Sequence, residues 1–256
     1  MIARPEELSI LRECGQRLAA VLQAVVKVVR PGASTLELDT VAENLIISSG
    51  GLAAFKGYRT HPEERPFPAS ICTSINNEVV HGIPRAYRRL AEGDIIGLDI
   101  GMRYPAAGGF ITDMAVTVPV GEISAQAQEL IGVTRAALAA GIHVIRAGIR
   151  MGDLGSAIQR TIEDKGCGVV RDLVGHGTGR HLHEHPYVPN YGTPGDGIVL
   201  KEGMVLAIEP MTTIGSPLVM LDDDGWTWRT RDGSLAAHFE HTVAVAKAGA
   251  EILTKI

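Results

Sequence analysis

Leu90-Ala-Glu-Gly-Asp-Ile-Ile-Gly-Leu-Asp99 returns 110 residues later as Leu200-Lys-Glu-Gly-Met-Val-Leu-Ala-Ile-Glu209. Leucine, glutamate and glycine keep their places, and each apolar, strand-like run ends on an acid. The next acids match in context too, Asp113-Met-Ala-Val-Thr-Val against Glu240-His-Thr-Val-Ala-Val. Upstream, Arg30, Gly32, Leu38, Ile46 and Gly50 recur 116 residues later as Arg146, Gly148, Leu154, Ile162 and Gly166. The chain therefore reads as two copies of a helix–helix–strand–strand unit, at a period far too long for a solenoid. A chance alignment of common apolar and glycine positions is the bland alternative, and the acid-terminated strands speak against it. Two copies sharing one curved sheet would each cover half of it with helices. That predicts an α+β fold with pseudo-twofold symmetry and a site where the half-sheets meet.

Local signals fill in the units. Leu8, Leu11, Leu18, Leu22, Val25 and Val29 form one helical face over about 6–29, stopped by Pro31-Gly32. Ser34-x-x-Glu37 is a capping-box pattern that starts a second helix, ended by Gly50-Gly51. Strands are expected at 71–80, 95–102 and 112–118. Helices at 124–145 and 151–165 and strands at 168–174, 204–214, 226–230 and 238–246 make the second copy. The domain expectation is one catalytic unit over 1–256, with halves at about 1–120 and 121–256.

Composition bounds the function. Of 256 residues, 45% are hydrophobic and 21% charged, which fits a globular chain. Lys+Arg is 24 and Asp+Glu 29, a net charge of −5, so the basic excess of a nucleic-acid binder is absent. Cys14, Cys72 and Cys167 are an odd count with no C-x-x-C pair, which points to a reducing compartment and hence the cytoplasm. The N-terminus shows no signal-peptide pattern, and no apolar run is long enough to predict a membrane span.

The four acids carry the chemistry. Asp99 shares a strand face with Gly97 and Gly101, and Glu209 with Ala207 and Met211, so small neighbours should leave room beside the carboxylates. Buried carboxylates are costly unless paired or bound to metal. Four of them at matching places in two copies would repel one another, and two divalent cations would remove the repulsion. Any one acid alone reads more readily as an edge-strand or turn residue facing water; the four together, at matching places, do not. Gly175-His176-Gly-Thr-Gly-Arg-His-Leu-His183-Glu-His-Pro186 packs four of the nine histidines into ten residues, the mark of a metal or catalytic loop. His81, in Val80-His81-Gly82-Ile83-Pro84, is a weaker candidate.

Together, Asn76-Asn-Glu-Val-Val-His81-Gly-Ile-Pro84, Leu98-Asp99-Ile-Gly, Thr112-Asp113, Gly175-His176-Gly-Thr-Gly…His183-Glu-His-Pro186, Ala207-Ile-Glu209-Pro210 and Phe239-Glu240-His241-Thr242-Val243 resemble the methionine aminopeptidases of type I. The likeness covers nearly the whole chain. It implies the pita-bread fold, a curved antiparallel sheet inside a duplicated α+β architecture. It also implies removal of the initiator methionine from nascent polypeptides when the second residue is small, by water held between two divalent metal ions. Cobalt, manganese, iron, zinc and nickel are the candidate ions. By the same resemblance Asp99, Asp113, His176, Glu209 and Glu240 are the metal ligands. Glu209 also shuttles a proton, His183 stabilises the oxyanion, and His81 contacts the scissile amide or departing amine. Tyr58, Phe67, Cys72, Leu182 and Trp226 become walls of an apolar methionine pocket, although plain core packing accounts equally well for Cys72 and Trp226. A monomer is the family expectation, and the resemblance leaves ribosome docking open.

Some stretches depart from that pattern. Thirteen residues separate Asp99 from Asp113, the excess falling in a hairpin tip at 104–109 that should spare the metals. The stretch 59–66 is longer than usual, Arg59 follows Tyr58 where the family has histidine, and Leu182 replaces a common aromatic. Two rivals stand beside the aminopeptidase: a prolidase or aminopeptidase P-like peptidase, and a metal-free pita-bread binding module.

Overall fold

The four acids do not all end strands as the sequence suggests: Asp99 and Asp113 lie inside strands, Glu240 begins one and Glu209 sits just past another, in a computed structural model that describes residues 1–59 and 61–255. Thr60, inside the long stretch 59–66, lies outside the described residues. The first half runs α1 (Pro5–Val26), α2 (Thr35–Ser48), β1 (Leu52–Ala53), β2 (Ile71–Ile75), β3 (Glu78–Val80), β4 (Ile95–Tyr104) and β5 (Phe110–Pro119). The second runs α3 (Ala125–Val144), α4 (Met151–Glu163), β6 (Gly168–Val169), β7 (Gly175–Gly177), β8 (Glu184–Val188), β9 (Val205–Ile208) and β10 (Met211–Thr213). It closes with β11 (Val219–Leu221), β12 (Trp228–Thr230), β13 (Ala236–His238), β14 (Glu240–Ala246) and β15 (Gly249–Ile252).

The main sheet is curved and antiparallel, in the order β1-β4-β5-β14-β9-β7-β8, with β2 also on β4 and β15 on β14. β4 and β5 pair along their whole length, from Ile95↔Pro119 to Tyr104↔Phe110. β5 then meets β14 through Glu240↔Ala115 and His241↔Met114, and β14 continues to β9. The two copies thus meet with β5 and β14 at the seam, the arrangement that a twofold relation requires.

Each half carries its own core on the helical side. Leu18 and Leu22 of α1 and Leu38 and Ile46 of α2 pack on Leu98, Ile100 and Met114. Leu138 of α3 and Leu154, Ile158 and Ile162 of α4 pack on Leu206, Ile208 and Val243. Because strand side chains alternate, these same strands turn Asp99, Asp113 and Ala207 to the opposite face. Ser34 and Ser124 cap α2 and α3, accepting from the amides of Glu37 and Ala127 at 3.1 Å, each cap worth about 1 kcal/mol.

Several local expectations change. The capping box at Ser34 is only half made, because the Glu37 carboxylate pairs with Arg30 instead. The run 71–80 splits into β2 and β3 at Asn76, whose φ of 56° turns the chain. The run 204–214 breaks at Glu209-Pro210, since proline has no N–H to continue the ladder. The run 238–246 breaks at Phe239. In the run 168–174 only Gly168–Val169 is strand, and the glycine-rich loop begins with a strand, β7. The tip at 105–109 closes over the Tyr104↔Phe110 pair, with the Tyr104 hydroxyl bonded to Glu13 of α1.

Candidate metal centre and its cavity

The register of the sheet assembles the site. Ala115 of β5 lies opposite Asp99 on one side and Glu240 on the other, so those two acids share a row across three strands. Asp113, two residues from Ala115, faces the same way. From the other half, Ala207 of β9 lies opposite His176 of β7 and Thr242 of β14, which sets His176 beside Glu240 on that face. Ligand atoms of Asp113, His176 and Glu240 fall within 4.8 Å of one another. His176 Nε2 is 4.0 Å from Asp113 Oδ2 and 3.5 Å from Glu209 Oε1. Asp99 faces Asp113 and the Cys72 thiol.

Glycines matter here for close packing. A Cβ on Gly175 would lie 2.4 Å from the Ala207 carbonyl oxygen, and one on Gly177 2.5 Å from that of His185. Their absence lets β7 fit between β9 and β8 and fixes His176. Gly101 does not leave open space beside Asp99. A Cβ there would stand 2.7 Å from the Phe55 ring, so the glycine makes room for an aromatic wall.

The carboxylates are held in a costly state. Burial, then mutual repulsion, raises the pKa values of Asp99, Glu209 and Glu240 well above the ordinary range. Burial likewise raises Asp113 to about 7. Asp99 Oδ1, Asp113 Oδ1 and Glu240 Oε1 are buried with no hydrogen-bond partner. His176 is lowered to about 3, chiefly by burial, so it is a neutral ligand at neutral pH. Unpartnered carboxylate oxygens around one neutral imidazole fit hard or borderline divalent cations.

These groups line one cavity of about 430 Å³. It brings together the four acids and His176 with His81, His183, Tyr58, Phe67, Cys72, Leu182 and Trp226. The Tyr58 hydroxyl lies 2.5 Å from His183 Nδ1, and the His183 ring stacks edge-on against His176 at 4.3 Å. His183 stands at the mouth, and desolvation lowers its pKa to about 4. His81 is held at a φ of 59°, a conformation that costs of order 1 kcal/mol, and burial lowers it to about 4. Phe67 stacks edge-on against both Phe55 and Trp226, and the Trp226 indole donates to the Arg65 carbonyl at 3.1 Å. Burial pushes the Cys72 thiol well above its usual value, which leaves it a neutral wall atom. His61, His181 and His185 are exposed and stand outside the lining.

Sequence reasoning passed over Phe55, Val80, Asp172, Leu173, Val174 and Tyr187, which also line the cavity, and His238, which approaches Glu209; Met211, named only as a neighbour of Glu209, is a further wall. Only the position of His238, two residues before Glu240, could have drawn notice.

Comparison with known proteins gives a consistent picture. Residues 9–247 match the profile of metallopeptidase family M24. A methionine aminopeptidase of Clostridium acetobutylicum is 46% identical over 99% of this chain and 98% of its own. Methionine aminopeptidase 1 of Bacillus subtilis is 45% identical over 98% of each chain. A crystal structure of the Thermotoga maritima methionine aminopeptidase superposes with a TM-score of 0.94 at 44% identity, covering 100% of this chain and 99% of that one.

Proposed function

The chain belongs to metallopeptidase family M24, and on that premise we propose that it is a metal-dependent aminopeptidase for N-terminal methionine. Its substrates are nascent polypeptides and peptides whose second residue is small. The whole chain acts as one catalytic unit whose halves, about 1–120 and 121–256, meet at the cavity. It works as a monomer in the cytoplasm, where new chains emerge. The observation that carries this is the set of buried, unpartnered carboxylate oxygens at the floor of a cavity with apolar aromatic walls.

Asp99, Asp113, His176, Glu209 and Glu240 would hold two divalent ions. When bound, such ions would supply Lewis-acid chemistry, polarising a carbonyl and lowering the pKa of bound water. The remaining steps belong to side chains. Tyr58 has its pKa raised by burial, so its hydroxyl keeps the proton and donates to His183 Nδ1. Neutral His183 then carries its own proton on Nε2, and that N–H donates to the oxygen on which charge develops. Glu209 accepts a proton from the attacking water at a carboxylate oxygen and delivers it to the departing amine. His81, neutral and fixed by its backbone, contacts the scissile amide. Phe67, Cys72, Leu182 and Trp226, with Phe55, enclose an unbranched thioether side chain.

A peptide panel tests this. After addition of Mn²⁺ or Co²⁺, the protein should release methionine from Met-Ala-Ser and leave Leu-Ala-Ser and Ala-Pro uncut. Cleavage of Ala-Pro without methionine release would favour the prolidase-like rival, and no cleavage with any metal would favour a binding module.

A further inference from the structure

His238 closes β13, and only 3% of the residue is exposed. Its Nε2 has no hydrogen-bond partner and lies 3.5 Å from Oε2 of Glu209. The other carboxylate oxygen of Glu209, Oε1, lies 3.5 Å from His176 Nε2. Glu209 therefore stands between two imidazoles, one at each oxygen. The main chain of His238 is pinned by Thr117 of β5. The His238 amide donates to Thr117 Oγ1 at 2.9 Å, and that hydroxyl donates to the His238 carbonyl at 2.8 Å. Behind Glu209, Asn190 Nδ2 donates to the Glu209 carbonyl at 3.0 Å. Among the described residues, the one carboxylate that His238 Nε2 approaches is that of Glu209.

We propose that His238 is a positioning residue for Glu209. Its Nε2–H holds Oε2, so that the carboxylate presents one fixed oxygen to metal and a fixed path for the proton. Glu209 needs such a partner because β9 stops at Ile208 and Pro210 follows, leaving no ladder to orient a flexible side chain. At 3.5 Å the contact falls short of a hydrogen bond, and catalytic contacts of this kind tighten when a site is loaded. The distinguishing feature is the donor, not the ring.

This rests on the metallopeptidase reading, and metal binding by the full chain separates the two. His238→Leu keeps apolar bulk and removes the donor, whereas His238→Gln keeps an N–H. Calorimetric titration of the metal-stripped protein with Mn²⁺ should show roughly 10–100-fold weaker binding in His238→Leu, with His238→Gln within about threefold of wild type. On Met-Ala-Ser, kcat should follow the same order while KM changes little. Wild-type Mn²⁺ affinity in folded His238→Leu, or a glutamine variant as weak as the leucine one, would overturn the proposal. If His238→Leu does not fold, His238→Asn replaces it; an amide one methylene short should bind Mn²⁺ more weakly than glutamine, and equal affinities would overturn the proposal. Failure of the wild type to bind Mn²⁺ would overturn the metal site itself and this proposal with it.

Discussion

Loading metal into the stripped protein should release protons near neutral pH, and affinity should climb with pH. An ordinary carboxylate site would do neither, because its acids are fully ionised by pH 6. Here Asp113 sits at about 7, and Asp99, Glu209 and Glu240 are also raised by burial and mutual repulsion. A group at about 7 is still roughly three-quarters protonated at pH 6.5, and bound metal requires the ionised form. The sign follows: protons leave on binding, so rising pH favours the loaded state. His176 does not contribute, because at about 3 it is already neutral. Linkage then predicts that affinity rises by roughly five- to tenfold per pH unit between pH 6 and 7, and more if several carboxyls share the protons. Mn²⁺ titrations in two buffers of different ionisation enthalpy would count the protons. Buffer-independent heats together with a flat affinity from pH 6 to 7.5 would refute the electrostatic account of the site. Asp113→Asn should weaken binding and reduce the count.

Other consequences are quickly checked. His183→Ala should lower kcat by roughly 100–1000-fold with little change in KM, the cost of a lost oxyanion donor. Tyr58→Phe keeps the wall but loses the bond to Nδ1, so kcat should fall by about two- to tenfold, the value of one neutral hydrogen bond. Gly101→Ala should drive the Phe55 ring toward the cavity, costing about 1–3 kcal/mol in urea unfolding and raising KM for methionine peptides. Ser34→Ala should cost about 1 kcal/mol without altering kinetics, because that cap lies on the helical side.

The duplication was legible because its marks are periodic and chemical at once. Acids ending apolar runs at Asp99 and Glu209 predicted two half-sheets with a site between them, and the β5–β14 seam is that place. The starts of α2 and α3 were legible because serine caps act locally, whereas α1 stops at Val26, short of the expected Val29. Strand ends were not, because they depend on single residues inside β-rich runs. Asn76 turns at positive φ, Pro210 stops a ladder, and Phe239 separates β13 from β14. The cavity walls were half legible. Phe55 enters only because Gly101 on another strand lacks a side chain, and His238 looks like any histidine in an apolar strand until Glu209 is seen beside it. Contacts between distant segments leave no local trace in a single sequence.

The most direct measurement of the central claim is methionine release from Met-Ala-Ser by the chelator-stripped chain as Mn²⁺ is added back stepwise. The account predicts no release without metal and recovery as the ion binds, with no recovery in Asp113→Asn. Full release by the stripped protein, or by Asp113→Asn, would contradict it.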